Sequence, residues 1–196
     1  MRNLLLLLLF MTLLVGCGKS KPPTPFQAID ISWRYAEEPV DFHLTDPNGK
    51  MRRLSDFKGK VVVVFFGYTH CPEICPTTLA DLAQVMRLLD KDAAKVQVLF
   101  VTLDPERDTP KLLAEYVPFF HPTFLGLYGD IQTTAQVAKT FGVNYEKRVE
   151  KGSYTLDHSD GTYLIGTRGK PVLLSPYNQR AELLVQDIKL LLQMAR

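Results

Sequence analysis

The sequence predicts an α/β fold with a mixed central sheet. Residues 61–66 and 96–103 are runs of β-branched and aromatic side chains without alternation, which is typical of strands buried on both faces of a sheet. Apolar residues at helical spacing follow at 77–89, and strands that alternate with helices imply parallel pairing. Near the C-terminus, residues 162–165 and 171–174 flank Arg168-Gly169 as a hairpin, which adds antiparallel strands.

The composition is that of one globular domain with appendages. The chain has 196 residues, of which 46% are hydrophobic and 22% are charged, and this length suits a single core. Its 23 basic and 21 acidic residues leave a net charge of only +2. Because nucleic-acid-binding proteins usually concentrate positive charge on one face, this balance argues against a nucleic-acid partner.

Turn and helix signals complete the order of elements. Residues 42–44 and 50–54 flank Asp46-Pro47-Asn48-Gly49, in which proline sets φ and glycine accepts φ > 0, and so predict an N-terminal hairpin. The remaining predicted elements are helices at residues 77–89, 110–117, 131–141 and 181–194, a strand at 124–127 and a short extended piece at 143–147. This order is the thioredoxin-like plan with an N-terminal β-hairpin and a β-α insertion.

The N-terminal segment is predicted to target and tether the protein. Residues 1–16 combine a basic Arg2 with an apolar run too short to span a membrane, which indicates a signal peptide. The sequence LVGC at residues 14–17 resembles the bacterial lipobox, in which the peptidase cuts before the cysteine and that cysteine carries the lipid. Cys17 is therefore the predicted lipidation site, and an ordinary signal peptide with an incidental cysteine is the alternative.

Residues 17–37 are then a lipid anchor and a proline-rich tether, with prolines at positions 22, 23 and 25, and residues 38–196 form the thioredoxin-like domain. For residues 29–36 two possibilities stay open, since they either pack on the domain or remain mobile.

Two cysteines lie where the first buried strand meets the first long helix, in the stretch GYTHCPEICPTT at residues 67–78. Reactive groups in open α/β sheets lie at the carboxyl ends of strands, so the position suits a site. Each cysteine precedes a proline, which disfavours helical backbone, and we expect neither Cys71 nor Cys75 inside the helix, with Cys75 near its N-cap. There the pair can form a redox-active disulfide or, as thiolates, bind a soft metal ion. Two buried structural cysteines are the alternative.

A third metal ligand has to come from elsewhere, and the chain has four histidines. We favour His158, which lies in a polar stretch before the strand at 162–165. In thioredoxin-like proteins that loop lies beside the cysteine turn and usually carries a cis-proline, whereas no proline occurs here between positions 122 and 171. His70, which adjoins Cys71, is the alternative ligand, and a core or surface role for His158 is the other possibility.

Two carboxylates are further candidates for the site. Asp157 either orients the imidazole of His158 or caps a turn. Asp104, in the sequence DPERD after the second buried strand, either reaches the cysteines or a partner, or forms an ion pair with Arg107.

Four segments carry a resemblance to a known family: FHLTDPNGK, KGKVVVVFFGYTHCPEICPTTL, VTLDPERDTP and LDHSDGTYLIG. Between about residues 42 and 191 the chain resembles the Sco (SenC) family of copper chaperones. The resemblance implies that Cys71, Cys75 and His158 bind copper, as Cu(I) or Cu(II). It also implies a membrane-anchored protein that assists assembly of the binuclear copper centre of cytochrome c oxidase subunit II. That subunit is the expected partner, together with another periplasmic copper chaperone or a thiol reductant. The expected location is a lipid anchor on the cell membrane, facing the periplasm or extracytoplasmic space.

Three functions compete on these residues. A copper metallochaperone, which is not a turnover enzyme, needs both cysteines and His158. A thiol–disulfide reductase that keeps the copper-ligand cysteines of the oxidase subunit reduced needs the cysteines alone. A peroxidase is the least favoured, because peroxiredoxins have threonine three residues before the reactive cysteine, where this chain has Tyr68.

Overall fold

The computed structural model of the protein describes residues 25–36, 40–150 and 152–194. The strands within them are β1 (Ile29–Asp30), β2 (His43–Thr45), β3 (Met51–Arg53), β4 (Val61–Gly67), β5 (Val96–Thr102), β6 (Leu125–Leu127), β7 (Tyr145–Glu150), β8 (Ser153–His158), β9 (Thr162–Ile165) and β10 (Pro171–Ser175). The helices are α1 (Ile74–Leu89), α2 (Pro110–Phe120), α3 (Ile131–Phe141) and α4 (Ala181–Gln193), with short 3-10 helices at Ser32–Tyr35, Leu54–Phe57 and Asp90–Lys95. The predicted α/β class is confirmed.

Six strands form one mixed sheet in the order β1-β10-β9-β4-β5-β6. β4 is parallel to β5 and antiparallel to β9, and β5 is parallel to β6. Every residue of β4 is buried, as its unbroken apolar run predicts. The carboxyl ends of β4, β5 and β6 meet at one side of the sheet, called the carboxyl edge below, so the loops that follow these strands lie close together.

Helices cover both faces of this sheet. α4 packs against α1. Phe141 of α3 contacts Phe66 in a tilted arrangement and Tyr163 edge to face, with ring centroids 5.3 and 5.2 Å apart. Successive side chains of a strand point to opposite faces. Phe66 therefore faces α3, whereas its neighbour Gly67 faces the start of α1.

Both predicted hairpins are present. β2 pairs antiparallel with β3. In their turn Gly49 has a φ of 79°, and the buried Asp46 carboxylate accepts the backbone N–H groups of Asn48 and Lys50, both at 3.0 Å. β9 pairs antiparallel with β10, as expected for the late hairpin. In the first hairpin, turn residues that satisfy their own backbone thus favour the pairing.

The structure adds a hairpin that the sequence analysis missed. β7 pairs antiparallel with β8, with Tyr145 opposite His158. The extended piece expected at 143–147 is the start of β7, and His158 ends a strand instead of lying in a loop. This two-stranded ribbon is separate from the main sheet, and most of its side chains are exposed or half-buried. Its sequence therefore lacks the apolar alternation that identifies a strand with one buried face.

α1 also begins earlier than predicted. Its first residue is Ile74, after Glu73 at the N-cap, so the expectation that Cys75 lies outside the helix is wrong. Pro76 is tolerated in the first turn because the first N–H groups of a helix have no intrahelical acceptor. Cys71 lies before the helix, as predicted.

Residues 29–36 pack on the domain, which settles the question that the sequence left open. β1 pairs with β10, and Ile31 and Ala28 are buried. The buried Asp187 of α4 accepts the backbone N–H groups of Gln27 and Ala28, both at 2.8 Å. The buried carboxylate thus attaches this segment to the last helix.

The predicted signal peptide (residues 1–16), the predicted lipidation site Cys17 and the tether up to residue 24 lie outside the described residues. In the part of the chain that the structure describes, no helix has both the length and the apolar character needed to cross a bilayer.

Candidate metal centre

The three side chains predicted as metal ligands converge at the carboxyl edge. Cys71 lies in the turn after β4, Cys75 in the first turn of α1, and His158 at the end of β8. Their ligand atoms all lie within 4.8 Å of one another. Cys75 is fully buried, whereas Cys71 and His158 are half-buried. Solvent therefore cannot reach this cluster of three ligands at Cys75, but it can reach the cluster from the side of Cys71 and His158.

The imidazole of His158 is held in an orientation suited to metal binding. Its Nδ1 lies 2.8 Å from the backbone carbonyl of Ser159. A carbonyl oxygen only accepts, so Nδ1 carries a hydrogen and Nε2 is the nitrogen left to bind a metal. Nε2 faces Cys75 Sγ at 3.6 Å. The rings of Tyr68 and Phe65 stand edge-on to the imidazole, with centroids 5.9 and 6.4 Å away, and restrict its rotation.

Cys71 and Cys75 share one proton when no metal is bound. The hydrogen bond from the Cys75 thiol, with a smaller contribution from His158, lowers the pKa of Cys71 to about 4 against the opposing effect of burial. The same hydrogen bond and burial raise the pKa of Cys75. Burial acts to lower the pKa of His158, but its contacts with Cys71 and with the Ser159 carbonyl outweigh that effect and raise it. Cys71 is therefore the thiolate at neutral pH, and binding a metal through both sulfurs releases a proton from Cys75.

Gly67, the last residue of β4, makes room for one of the sulfurs. A Cβ atom at this position would lie 2.7 Å from Cys75 Sγ and 3.1 Å from the ring of Phe100. Such a contact is far inside van der Waals distance, so any larger side chain would displace the thiol. Close packing of the strand end against α1 thus depends on this glycine.

Asp108 ties the cysteine loop to the neighbouring strand. Its buried carboxylate accepts hydrogen bonds from Thr69 N at 3.0 Å, from Thr69 Oγ1 at 2.6 Å and from Thr102 Oγ1 at 2.6 Å. Thr69 lies just before Cys71, and Thr102 ends β5. A buried carboxylate with three donors is well satisfied, and it holds the loop in one position.

Asp104 and Arg107 hold the hairpin that carries His158. Arg107 donates through Nε to Asp104 Oδ2 at 2.5 Å and through Nη1 to the backbone carbonyl of Tyr154 at 2.9 Å. The Tyr154 hydroxyl donates to Asp104 Oδ1 at 2.7 Å. Of the two roles considered for Asp104, the structure therefore has the ion pair with Arg107, and this pair extends to the strand of His158.

Asp157 is directed away from the imidazole that it precedes. Its carboxylate forms an ion pair with Arg148 on the facing strand β7, and both side chains are more than half exposed. The backbone carbonyl of Ser159 occupies the position at Nδ1 of His158 that a carboxylate would take. In this structure Ser159 thus orients the imidazole.

The chemistry of the donors limits which ion fits. Two sulfurs and one imidazole nitrogen are soft to borderline ligands, which select Cu(I) and related soft ions over hard cations such as Mg²⁺. Structural zinc sites usually supply four protein ligands. The sulfurs of the two free cysteines lie within 4.8 Å of each other, and a disulfide would require them to approach to about 2 Å.

The fold and the site therefore define a class of protein: a thioredoxin-like α/β domain with a thiolate–imidazole site. The sequence model of the SCO1/SenC family matches residues 35–193, and the chain belongs to this family.

Several relatives and solved structures are similar to this chain. Over 145 residues it is 43% identical to the protein SCO2 homolog, mitochondrial, of Bos taurus. This alignment covers 72% of this chain and 53% of that protein, so the chain spans about half the length of this curated relative. ScoI of Bradyrhizobium japonicum with copper bound superposes with a TM-score of 0.71 at 39% identity, over 77% of this chain and 97% of that one. Apo Sco1 of Thermus thermophilus superposes with a TM-score of 0.71 at 42% identity, over 78% of this chain and 91% of that one.

Sequence reasoning missed the residues that position the ligands. Gly67 could have been found from its place between a buried strand and the cysteines. The pairing of Arg107 with Tyr154 had no such signal, because the two residues are far apart in the chain and meet only through the hairpin of β7 and β8.

Proposed function

We propose that this protein is a copper metallochaperone in which Cys71, Cys75 and His158 hold the ion. The observation that carries the proposal is the convergence of the three ligand atoms within 4.8 Å. Family membership and the similarity to ScoI of Bradyrhizobium japonicum with copper bound support it. The copper ion is the cargo of this protein, which passes it on by ligand exchange and does not turn over a substrate.

The geometry suits a carrier because the site is accessible from one side. Cys75 lies in the core, while Cys71 and His158 are half-buried. An acceptor can therefore approach the ion along Cys71 without unfolding the domain. The Cys71 thiolate is available before the ion arrives, and the hydrogen bond at Nδ1 of His158 leaves Nε2 facing the cysteines.

The proposed client is subunit II of cytochrome c oxidase, and the protein would assist assembly of its binuclear copper centre. The resemblance of the sequence to the Sco family supports this client, with another periplasmic copper chaperone or a thiol reductant as further partners. Lipidation of Cys17 would anchor the domain on the cell membrane facing the periplasm, and the LVGC stretch supports it. Labelling of the full chain with a fatty-acid analogue in a bacterial host tests the anchor, since Cys17→Ser should remove the label.

Copper titration tests the metal site. The full chain, purified in detergent without oxygen, is titrated with Cu(I) in competition with a chromophoric chelator. One ion per chain is expected, and Cys71→Ser, Cys75→Ser and His158→Ala should each lower the affinity by at least about 10-fold. His121→Ala is the control, because this histidine follows α2 and lies where β6 begins, at the opposite end of the sheet. Unchanged affinity in His158→Ala would reject the proposed ligand set.

A thiol–disulfide reductase is the second candidate, and the lowered pKa of Cys71 favours it. In such a reaction the Cys71 thiolate attacks a disulfide of the client and forms a mixed disulfide. Cys75 then displaces the client thiol, so two electrons pass to the client and a Cys71–Cys75 disulfide is left. His158→Ala separates the functions, since it should abolish tight copper binding and leave the reduction of a disulfide peptide of the client largely intact. A reduction potential too oxidising to reduce that peptide would exclude the reductase.

A further inference from the structure

His70 is a second imidazole at the carboxyl edge, and the proposed ligand set does not use it. It directly precedes Cys71, and 49% of its side-chain surface is exposed. Its Nδ1 lies 3.1 Å from Thr69 Oγ1 and 3.8 Å from Asp108 Oδ1. One side of the ring is thus held against the protein, and the rest is accessible to solvent.

The hydrogen bonds around Thr69 determine which ring nitrogen of His70 carries the hydrogen. Thr69 Oγ1 donates its only hydrogen to Asp108 Oδ1 at 2.6 Å. Toward His70 this hydroxyl can therefore only accept, so Nδ1 of His70 is the donor and the lone pair is on Nε2. A histidine whose Nδ1–H is held by a protein acceptor, with Nε2 unprotonated, is in the form that ligates metals. His158 has the same arrangement, with the Ser159 carbonyl as acceptor.

We infer that His70 is a transfer ligand for copper, which binds the ion between the buried site and an acceptor. The inference rests on the proposed copper-carrier function. Cys75 is fully buried and Cys71 half-buried, so the ion is reached from the side of Cys71, next to which His70 lies. An acceptor that supplies one ligand at a time needs the ion to stay partly coordinated as His158 and Cys75 release it. The half-buried Cys71 and the more exposed His70 are consecutive residues, and in this inference they offer a sulfur and a nitrogen for this step.

The exchange between the imidazoles needs no redox step, and when Cys75 releases the ion it takes up from solvent the proton that it lost on binding. The lone pair of His70 Nε2 forms a bond to Cu(I) as the bond from His158 Nε2 to the ion breaks. The ion remains Cu(I), so the exchange needs no electron donor or acceptor. Thiolate and imidazole are both suitable ligands for Cu(I), so the intermediate held by Cys71 and His70 uses ligands that this ion accepts.

His70→Asn tests the inference. The amide nitrogen of asparagine takes the position of Nδ1 and can still donate to Thr69, while no atom replaces Nε2. The full chain in detergent, loaded with one Cu(I) without oxygen, is mixed with excess bicinchoninate, and the rate of copper transfer is followed by absorbance. We expect an equilibrium affinity within about twofold of wild type and transfer about tenfold slower, the factor that corresponds to a barrier about 1.4 kcal/mol higher.

His121→Asn is the matched control. Nδ1 of His121 also lies beside a threonine hydroxyl, Thr123 Oγ1, at 2.9 Å, but at the opposite end of the sheet. The His121→Asn variant should transfer copper at the wild-type rate. If His70→Asn alters the circular dichroism spectrum, His70→Gln takes its place with the same expected slowing.

The outcomes separate this inference from the proposed function. Wild-type transfer rates in the His70 variant would overturn the transfer ligand, while tight copper binding by the same samples would leave the carrier function standing. An affinity loss beyond about tenfold would place His70 among the ligands that hold the ion at rest and would also overturn the inference. A wild-type chain that does not bind Cu(I) would overturn both.

Discussion

The guanidinium carbon of Arg107 lies 3.6 Å from the centre of the Tyr154 ring, which joins the loop after β5 to the hairpin that carries His158. Arg107 also donates to the backbone carbonyl of Tyr154, and Asp104 accepts hydrogen bonds from both side chains. Because β7 and β8 form a sheet of their own, such contacts hold His158 in position opposite the cysteines.

Replacing Arg107 with lysine should weaken copper binding without removing a ligand. Lysine keeps the charge but loses the planar stack on Tyr154 and the second hydrogen bond. We expect the Cu(I) affinity to fall by about 10-fold, the scale typical of groups that orient a metal ligand. Competition with a chromophoric chelator measures the change.

Arg148→Lys is the control for this prediction. It makes the same substitution on the β7–β8 hairpin itself, at the exposed ion pair with Asp157. Exposed pairs contribute little, so the affinity should change by less than about twofold. Equal losses in the two variants would mean that the contacts of Arg107 with Tyr154 and Asp104 do not determine the affinity.

Gly67→Ala should disturb the metal site more than the fold. The new Cβ would lie 2.7 Å from Cys75 Sγ, so the thiol has to move away from the other ligands. Gly126→Ala in β6 is the control, since its Cβ would meet Val117 and Leu113 at 3.2 and 3.3 Å, among α2 side chains. Both variants should lose about 1–3 kcal/mol of stability in urea unfolding from overpacking, but only Gly67→Ala should lose copper affinity. Parallel losses of affinity would reject this role of Gly67.

Cys75→Ala should make Cys71 a more ordinary thiol. The hydrogen bond from Cys75 is the largest cause of the lowered pKa of Cys71, and alanine removes this donor. In the copper-free chain, the rate of Cys71 alkylation by iodoacetamide should stay level above pH 5, since the pKa is about 4. In Cys75→Ala the rate should instead rise with pH toward the ordinary thiol range, about 8.5. Cys75→Ser retains a donor and should shift the profile less, so an identical profile in all three proteins would contradict the proton-sharing pair.

Asp46→Asn should destabilise the N-terminal hairpin in a pH-dependent way. Burial alone would raise the pKa of Asp46, but the hydrogen bonds from Arg52 and the backbone of Lys50 and Asn48 outweigh it and lower the pKa. A carboxyl with a lowered folded-state pKa stabilises the fold above its unfolded pKa, about 3.9, and this stabilisation is lost as the pH falls through the folded value.

Urea unfolding measures this effect. At pH 7 Asp46→Asn should be about 1–3 kcal/mol less stable than wild type, and the difference should shrink below about pH 4. Asp56→Asn, at an exposed carboxylate that accepts one backbone N–H, should cost less at pH 7. A difference that persists unchanged into acid would show that packing, and not the charge of Asp46, is responsible.

Much of this architecture could be predicted because it depends on local patterns. The unbroken apolar run of β4 identifies a buried strand, and the turn at Gly49 identifies a hairpin, from neighbouring residues alone. The identity of the ligands Cys71, Cys75 and His158 could also be inferred, from residue type and from their place along the order of elements. Hydrophobic period and turn chemistry are properties of short segments, so they can be recognised in the amino-acid sequence alone.

Only the tertiary structure determined how these ligands are held. The ribbon of β7 and β8 is mostly exposed and carries no apolar period, so its pairing appears only when both strands are seen together. The stack of Arg107 on Tyr154, the space that Gly67 leaves for the sulfur of Cys75, and the hydrogen-bonded ring of His70 all depend on distances across the fold. Side-chain contacts between distant positions follow from packing, which a sequence pattern does not encode locally, and in this protein they set the geometry of the proposed copper site.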